Sequence, residues 1–241
     1  MVALTAAHGV VRRPLDLSLY LVTDIEMCGE VGVQATVAAA VAAGVTLIQL
    51  RDPAATDDEL VTVGRAMAAV LAPTGVPLIV NDRVHLVEAM GAQGAHVGQG
   101  DLGVAAARAQ LGGDAYLGLS VQSLEHVEEA ARHGTGVVDY LGVGPVWSTM
   151  SKTDAAPPMG LENLAAVVAA SPCPCVAIGG ITQNRVRPLR SRGVAGVAVI
   201  SAVCGQPDVA AATRALRRAW NEAPPAAETP AARSTARKGH R

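Results

Sequence analysis

Short apolar runs alternate with alanine-rich stretches eight times along this chain, and that alternation limits the fold more than any other feature. A strand, a helix and another strand in sequence place the two strands parallel, because the helix carries the chain back across the sheet. Strands read over Leu19 to Thr23, Leu47 to Leu50, Leu78 to Val80, Ala95 to Val97, Tyr116 to Leu119, Tyr140 to Val143, Val176 to Ile178 and Val197 to Ile200. Helical stretches follow over Val33 to Ala43, ended by Gly44, and from Thr56, where Glu59 completes a capping box. Others follow over Val84 to Met90, Val104 to Leu111, Leu124 to His133 and Leu161 to Ala170, then from Thr182 to a stop at Gly193, and over Val209 to Trp220. Eight such units in 241 residues fit one closed (β/α)8 barrel, a TIM barrel, with an open doubly wound sheet as the alternative.

On this reading residues 1–14 form an N-terminal segment, 15–222 the catalytic barrel and 223–241 a disordered tail. The tail is rich in Pro, Ala and Thr and ends Arg-Lys-Gly-His-Arg, without apolar periodicity. A net charge of −2, no Phe, two Trp and three Tyr leave neither the basic field nor the stacking rings that nucleic acid requires. No apolar run approaches the ~20 residues of a spanning helix, and Met1 to Pro14 lacks a signal-peptide pattern, so the expected setting is the cytoplasm, with no membrane partner. Cys28, Cys173, Cys175 and Cys204 show no disulfide or zinc spacing and read as reduced thiols.

Barrel chemistry sits at the carboxyl ends of the strands. In this sequence those ends carry Gln49-Leu50-Arg51-Asp52, Asn81-Asp82-Arg83, Gly98-Gln99-Gly100-Asp101, Ser120, the long run Gly144 to Asp154, Gly179-Gly180-Ile181 and Ser201. Asp82 and Asp101 end neighbouring strands and suit a hard cation such as Mg²⁺, which takes one or two carboxylates with water and phosphate. Each could instead cap the following helix. Arg51 and Lys152 bring positive charge to the same rim, suited to a diphosphate, although either alone could be a solvated side chain. Gly179-Gly180 before a helix start, beside Ile200-Ser201, matches the recurrent barrel phosphate site, with an ordinary tight turn as the plain alternative.

Taken together, Leu19-Tyr20-Leu21-Val22-Thr23-Asp24, Ile48-Gln49-Leu50-Arg51-Asp52, Val80-Asn81-Asp82-Arg83, His96-Val97-Gly98-Gln99-Gly100-Asp101, Gly118-Leu119-Ser120, Gly144-Pro145-Val146-Trp147 through Lys152, and Ala177-Ile178-Gly179-Gly180-Ile181 resemble the thiamine-phosphate synthase family. The resemblance implies a Mg²⁺-dependent transferase that joins a pyrimidine diphosphate to a thiazole phosphate, or its carboxylate form, by a dissociative route that releases pyrophosphate. It implies catalytic roles for Arg51, Ser120 and Lys152. Gln49 and Ser120 would orient the aminopyrimidine, and the pyrimidine diphosphate site would comprise Gln49, Leu50, Arg51, Asp52, Pro53, Asn81, Ser120 and Lys152. Thr149, Met150, Ser151, Gly180, Ile200 and Ser201 would surround the thiazole phosphate, and Asp82 and Asp101 would ligate Mg²⁺. A homo-oligomer is also suggested.

Three positions depart from the family pattern. Pro53 stands where the family usually has a diphosphate-binding Lys, with Arg83 as a candidate replacement or simply a solvent-facing helix start. Ser148 begins a loop where the family has Pro, and His85 stands where Asp is common, read as a surface helix residue. The alternatives are a metal-independent thiazole tautomerase, a non-catalytic thiazole or thiamine phosphate binder, and another phosphosugar barrel. Asp101, and Gln122 where the tautomerase has a His, favour the synthase.

Overall fold

The computed structural model describes residues 13–151 and 156–226. Lys152, residues 1–12 of the expected N-terminal segment and residues 227–241 of the expected tail lie outside this range. The strands β1 Leu19–Val22, β2 Leu47–Leu50, β3 Leu78–Asn81, β4 Gly94–Val97, β5 Tyr116–Val121, β6 Tyr140–Val143, β7 Cys175–Ile178 and β8 Gly196–Val199 form a closed parallel barrel in chain order. β8 closes on β1 with Tyr20 opposite Ala198. The helices are α1 Ile25–Cys28, α2 Val33–Ala42, α3 Asp57–Leu71, α4 Val87–Met90, α5 Val104–Leu111, α6 Leu124–Arg132, α7 Gly160–Ala170, α8 Gln183–Arg190 and α9 Val209–Glu222.

Period-two alternation divides each strand between two cores. Leu19, Leu21, Ile48, Leu50, Leu78, Val80, Leu117, Leu141, Val197 and Val199 point outward and are buried beneath the helices. Each fully buried aliphatic side chain there contributes about 1.5–3 kcal/mol. The inward set is smaller: Tyr20, Val22, Leu47, Ile79, Tyr140, Val176 and Ala198, with Leu17 below them. Leu15 and Leu17 precede β1 and close the amino-terminal end, where the Tyr116 hydroxyl donates to the Arg13 carbonyl. The opposite end, where the loops carry the polar residues, stays open.

Local signals explain most boundaries. Thr56 caps α3, its hydroxyl accepting from Glu59 N–H while the Glu59 carboxylate accepts from Thr56 N–H, the expected capping box. Two segments depart from the sequence reading. A short helix, α1, and a 3₁₀ turn over Gly29–Val31 follow β1, started by Asp24, whose carboxylate accepts from Met27 N–H. The stretch Val84 to Met90 is a 3₁₀ turn, Val84–Leu86, running into the single-turn α4. At the other end of the chain, Ala223, expected to begin the tail, is buried against the barrel. Among the described residues no single helix is long and apolar enough to cross a membrane. All four cysteines are free thiols.

Candidate active site

A cavity of about 420 Å³ opens at the carboxyl end of the barrel. It collects Gln49, Arg51, Asn81, Asp101, Ser120, Thr149, Ser151, Gly180, Ile200 and Ser201, drawn from seven strand ends and separated by up to 152 positions in sequence. The topology thus brings together most of the residues singled out from the sequence. Leu50, Asp52, Pro53, Asp82 and Met150 do not line it. Leu50 turns into the outer core, and Asp52 shapes the β2–α3 loop by accepting from Ala54 and Ala55 N–H. Pro53 is exposed on that loop, and Met150 is 95% exposed.

The metal candidates sit at the ends of β3 and β4. Asp82 is exposed, with φ of 57°, a left-handed conformation that costs a non-glycine residue about 1–2 kcal/mol. Its N–H donates to the His96 carbonyl across the barrel edge, which holds the turn in place. Asn81 Nδ2 donates to Asp82 Oδ2 at 2.6 Å, and Gly98 N–H donates to Asp101 Oδ2 at 2.7 Å. The capping alternative is not adopted by either residue. Gly103 starts α5 and Arg83 starts the 3₁₀ turn, and neither start has a side-chain cap.

Arg51 stands half-buried on the β2 rim, its N–H bonded to Thr23 Oγ1. Arg83 is committed elsewhere, with its guanidinium bound to Asp57 Oδ1 at 2.9 Å and to the Ala55 carbonyl. Asp57 also meets His85 Nε2 at 2.7 Å, and the His85 contact is the main reason its carboxyl is held below the usual range. Neither Arg83 nor His85 reaches the cavity.

The phosphate candidate is built by close backbone approach. After a cis Gly144–Pro145 bond, Val146 and Trp147 N–H donate to the Ile178 and Gly179 carbonyls, which draws the β6 loop against the β7 loop. Gly180 has φ of 63°, and a Cβ there would lie 2.6 Å from the Ser148 carbonyl. Only glycine meets both demands. α8 begins three residues later, so its N-terminal amides and dipole face the same place, which suits an anion. Arg185, in the first turn of α8, stacks 4.8 Å from the Trp147 ring and donates to the Gly180 carbonyl.

Beneath the cavity, Gln49 and Ser120 are joined by three polar residues that the sequence had not marked as part of the site, Tyr20, His96 and Tyr140. Gln49, Tyr20, Tyr140, His96 and Ser120 form one continuous hydrogen-bonded chain across the barrel interior. Gly118 and Gly142 make room for it, since a Cβ at Gly118 would lie 2.3 Å from both His96 Nδ1 and Tyr140 Cζ. Burial pushes both phenols well above their ordinary pKa. Strand parity is the signal that could have found these residues, because Tyr20, Gln49, His96, Ser120 and Tyr140 all occupy inward positions.

Comparison with known proteins points one way. The profile of a family described as "Thiamine monophosphate synthase" matches residues 19–203. The chain is 48% identical over 205 residues to a thiamine-phosphate synthase of Azorhizobium caulinodans, covering 85% of this chain and 95% of the relative. It is 45% identical to one of Psychrobacter sp., over 80% of this chain and 90% of the relative. Among solved structures it is similar to the thiamine phosphate pyrophosphorylase of Pyrococcus furiosus, with a TM-score of 0.77, 36% identity, and coverage of 86% and 97%.

Proposed function

The chain belongs to the thiamine monophosphate synthase family, and from that premise we propose that it joins hydroxymethylpyrimidine diphosphate to thiazole phosphate, or its carboxylate form, releasing pyrophosphate. The observation that carries this reading is one cavity lined by two different sets of groups suited to anions. Arg51 and Asp101 line the β2–β4 side, with Asp82 exposed beside it at the end of β3, and Gly179 and Gly180 line the β7–β8 side before α8.

The donor set on the first side fits Mg²⁺. Among the described residues there is no cluster of three or more His, Cys, Asp or Glu groups, but Mg²⁺ asks for only one or two carboxylates beside water and phosphate. Asp82 and Asp101 are hard oxygen donors, each steadied by an N–H bond to one oxygen. They would hold the ion, which when bound offsets the charge gathering on the departing pyrophosphate.

The protein's own groups then position and stabilise. Arg51, with no side-chain partner among the described residues, takes the diphosphate together with Asn81 and Lys152. Gln49 and Ser120 align the aminopyrimidine ring. The bond between the pyrimidine methylene and the diphosphate oxygen breaks, its electron pair leaves with pyrophosphate, and the lone pair of the thiazole nitrogen forms the new bond to the methylene. The ring amine stabilises the positive carbon between these events. No proton must move to a protein base, so catalysis rests on alignment and on charge at the leaving group. Four free thiols suit a reducing cytoplasmic setting.

Pyrophosphate release from the two substrates, with and without Mg²⁺, tests the reading. Metal-dependent release with formation of thiamine phosphate, abolished in Asp101→Ala, is expected. Metal-independent isomerisation of a thiazole carboxylate phosphate, without release, would overturn it.

A further inference from the structure

The buried chain beneath the cavity has a direction, and the orientation of the Gln49 amide sets it. With the Gln49 amide oriented so that Nε2 donates to the Tyr20 hydroxyl at 2.6 Å, the Tyr20 oxygen is an acceptor there. Tyr20 must then give its own proton to its other partner, the Tyr140 hydroxyl, 2.8 Å away. Tyr140, now accepting, gives its proton to His96 Nδ1 at 3.1 Å. A neutral imidazole carries one N–H, so with Nδ1 accepting, the proton is on Nε2. That N–H points at Ser120 Oγ, 2.9 Å away. Ser120 therefore accepts from below, and its own proton faces the cavity. At the other end the Gln49 amide nitrogen is held down by Tyr20, which leaves the carboxamide oxygen for the cavity.

We propose that Tyr20, Tyr140 and His96 form a directional relay that makes Gln49 present an acceptor whenever Ser120 presents a donor, and that this coupling selects the ring edge of the pyrimidine substrate. The inference rests on the function proposed above and deepens it. An aminopyrimidine edge offers an exocyclic N–H donor beside a ring-nitrogen acceptor, the complement of Gln49 oxygen and Ser120 hydroxyl. The oxo analogue offers a carbonyl acceptor beside a ring N–H donor. To bind it, all four hydrogen bonds of the relay and the Gln49 amide would have to reverse together. The matched arrangement also has a chemical consequence. A carbonyl oxygen accepting from the ring amine encourages that amine to release electron density toward the methylene carbon as the diphosphate leaves.

The relay is built for this purpose at some cost in space. Its rings occupy a barrel interior where two glycines replace side chains, and Tyr140 packs 5.4 Å from His96 and edge-on to Tyr20 at 5.8 Å. An apolar filling of the same volume would carry no hydrogen bonds between the two ends. It would leave Gln49 and Ser120 free to rotate independently, and a hydroxyl alone serves as donor or acceptor with equal ease.

Tyr140→Phe removes the central hydroxyl and separates the two ends. The wild-type protein is expected to prefer hydroxymethylpyrimidine diphosphate over its oxo analogue by about 100-fold or more in kcat/KM, since two mismatched buried hydrogen bonds cost about tenfold or more each. In Tyr140→Phe that preference should fall at least tenfold, with KM for thiazole phosphate unchanged. An unchanged preference, with both pyrimidines slowed alike, would assign Tyr140 to packing alone and overturn the proposal. Nitrogen NMR of the His96 ring in the full-length wild-type protein provides a readout that needs neither a stable variant nor turnover. The Nε2–H tautomer is expected, and the Nδ1–H tautomer would refute the direction. If the wild-type protein released no pyrophosphate from the amino substrate, the functional reading would fall and the specificity claim with it, whichever tautomer the ring showed.

Discussion

Replacing Arg185 with Ala should weaken the proposed thiazole phosphate site without touching the proposed pyrimidine site. Arg185 holds together the two loops that frame Gly180. Its guanidinium lies over the Trp147 ring on the β6 loop and donates to the Gly180 carbonyl on the β7 loop. A partly exposed cation–π contact is worth about 0.5–1 kcal/mol. A hydrogen bond from a charged donor contributes about 1.5–3 kcal/mol, and the low end applies because water can reach the carbonyl afterwards. The two together come to about 2 kcal/mol of loop ordering, roughly 30-fold in the population of the phosphate-ready arrangement. Pyrophosphate release measured against thiazole phosphate, at saturating pyrimidine diphosphate, should show KM raised about 10- to 30-fold. KM for the pyrimidine diphosphate should change less than about twofold on the same scale. Arg185→Lys keeps the charge but loses the flat fork, so it should recover only part of the loss. Full recovery with Lys, or equal rises in both KM values, would refute the loop-clamp argument in favour of a simple charge effect.

Three further outcomes follow from the same geometry. Pro53→Lys should lower KM for the pyrimidine diphosphate by up to about fivefold, the worth of one exposed charge contact, because Arg83 is held by Asp57 and cannot substitute; an unchanged or higher KM would sink the idea. Tyr20 and Tyr140 have raised pKa values in the folded state, so their contribution is intact below the unfolded value near 10 and is lost as pH rises above it. Chemical denaturation at increasing pH should therefore show stability falling above about pH 10 by up to about 1.4 kcal/mol per pH unit for each phenol, with a shallower slope in Tyr20→Phe; flat stability to pH 11 would contradict it. Gly118→Ala would place a methyl group 2.3 Å from His96 Nδ1 and should cost about 1–3 kcal/mol by overpacking, read as a lower urea midpoint, whereas an unchanged midpoint would show that the ring pair can move aside.

The sequence was most legible where structure is set by neighbours in the chain. Thr56 and Glu59 lie three residues apart and form the box that their spacing implies. The eight apolar runs become eight strands because each run alone is long enough to cross the barrel wall. The rim residues followed from topology, since any residue at a strand's carboxyl end must arrive there. Legibility failed where the deciding partner is distant. Arg83 reads from the sequence as either a diphosphate ligand or a solvent-facing helix start, and Asp57, 26 positions earlier, decides the matter by taking its guanidinium. α1 escaped notice because four residues carry no periodicity, and only the Asp24 cap marks it. The floor relay lay within reach of simple alternation. Tyr20 shares a face with Val22, and His96 with Gly94, but alternation alone does not say which inward polar side chains meet across the barrel.

The division between floor and rim has a physical reason. Gln49 and His96 are 4% and 8% exposed, at a depth where an unpaired charge would be expensive but a satisfied chain of neutral hydrogen bonds is strong and directional. Asp82, Asp101 and Ser201 are exposed at the mouth, where carboxylate oxygens can exchange water for a cation and a hydroxyl can exchange it for a phosphate. The proposed reaction, whose difficulty is charge separation, would need both settings. In the proposed reaction the ring would be held in one orientation by hydrogen bonds, while the leaving diphosphate would need charge nearby that can follow it out. Substitutions on the floor should therefore show up as altered discrimination between ring analogues. Substitutions at the rim should show up in rate and in metal dependence. A floor variant that changed the metal requirement while leaving ring preference intact would break this division.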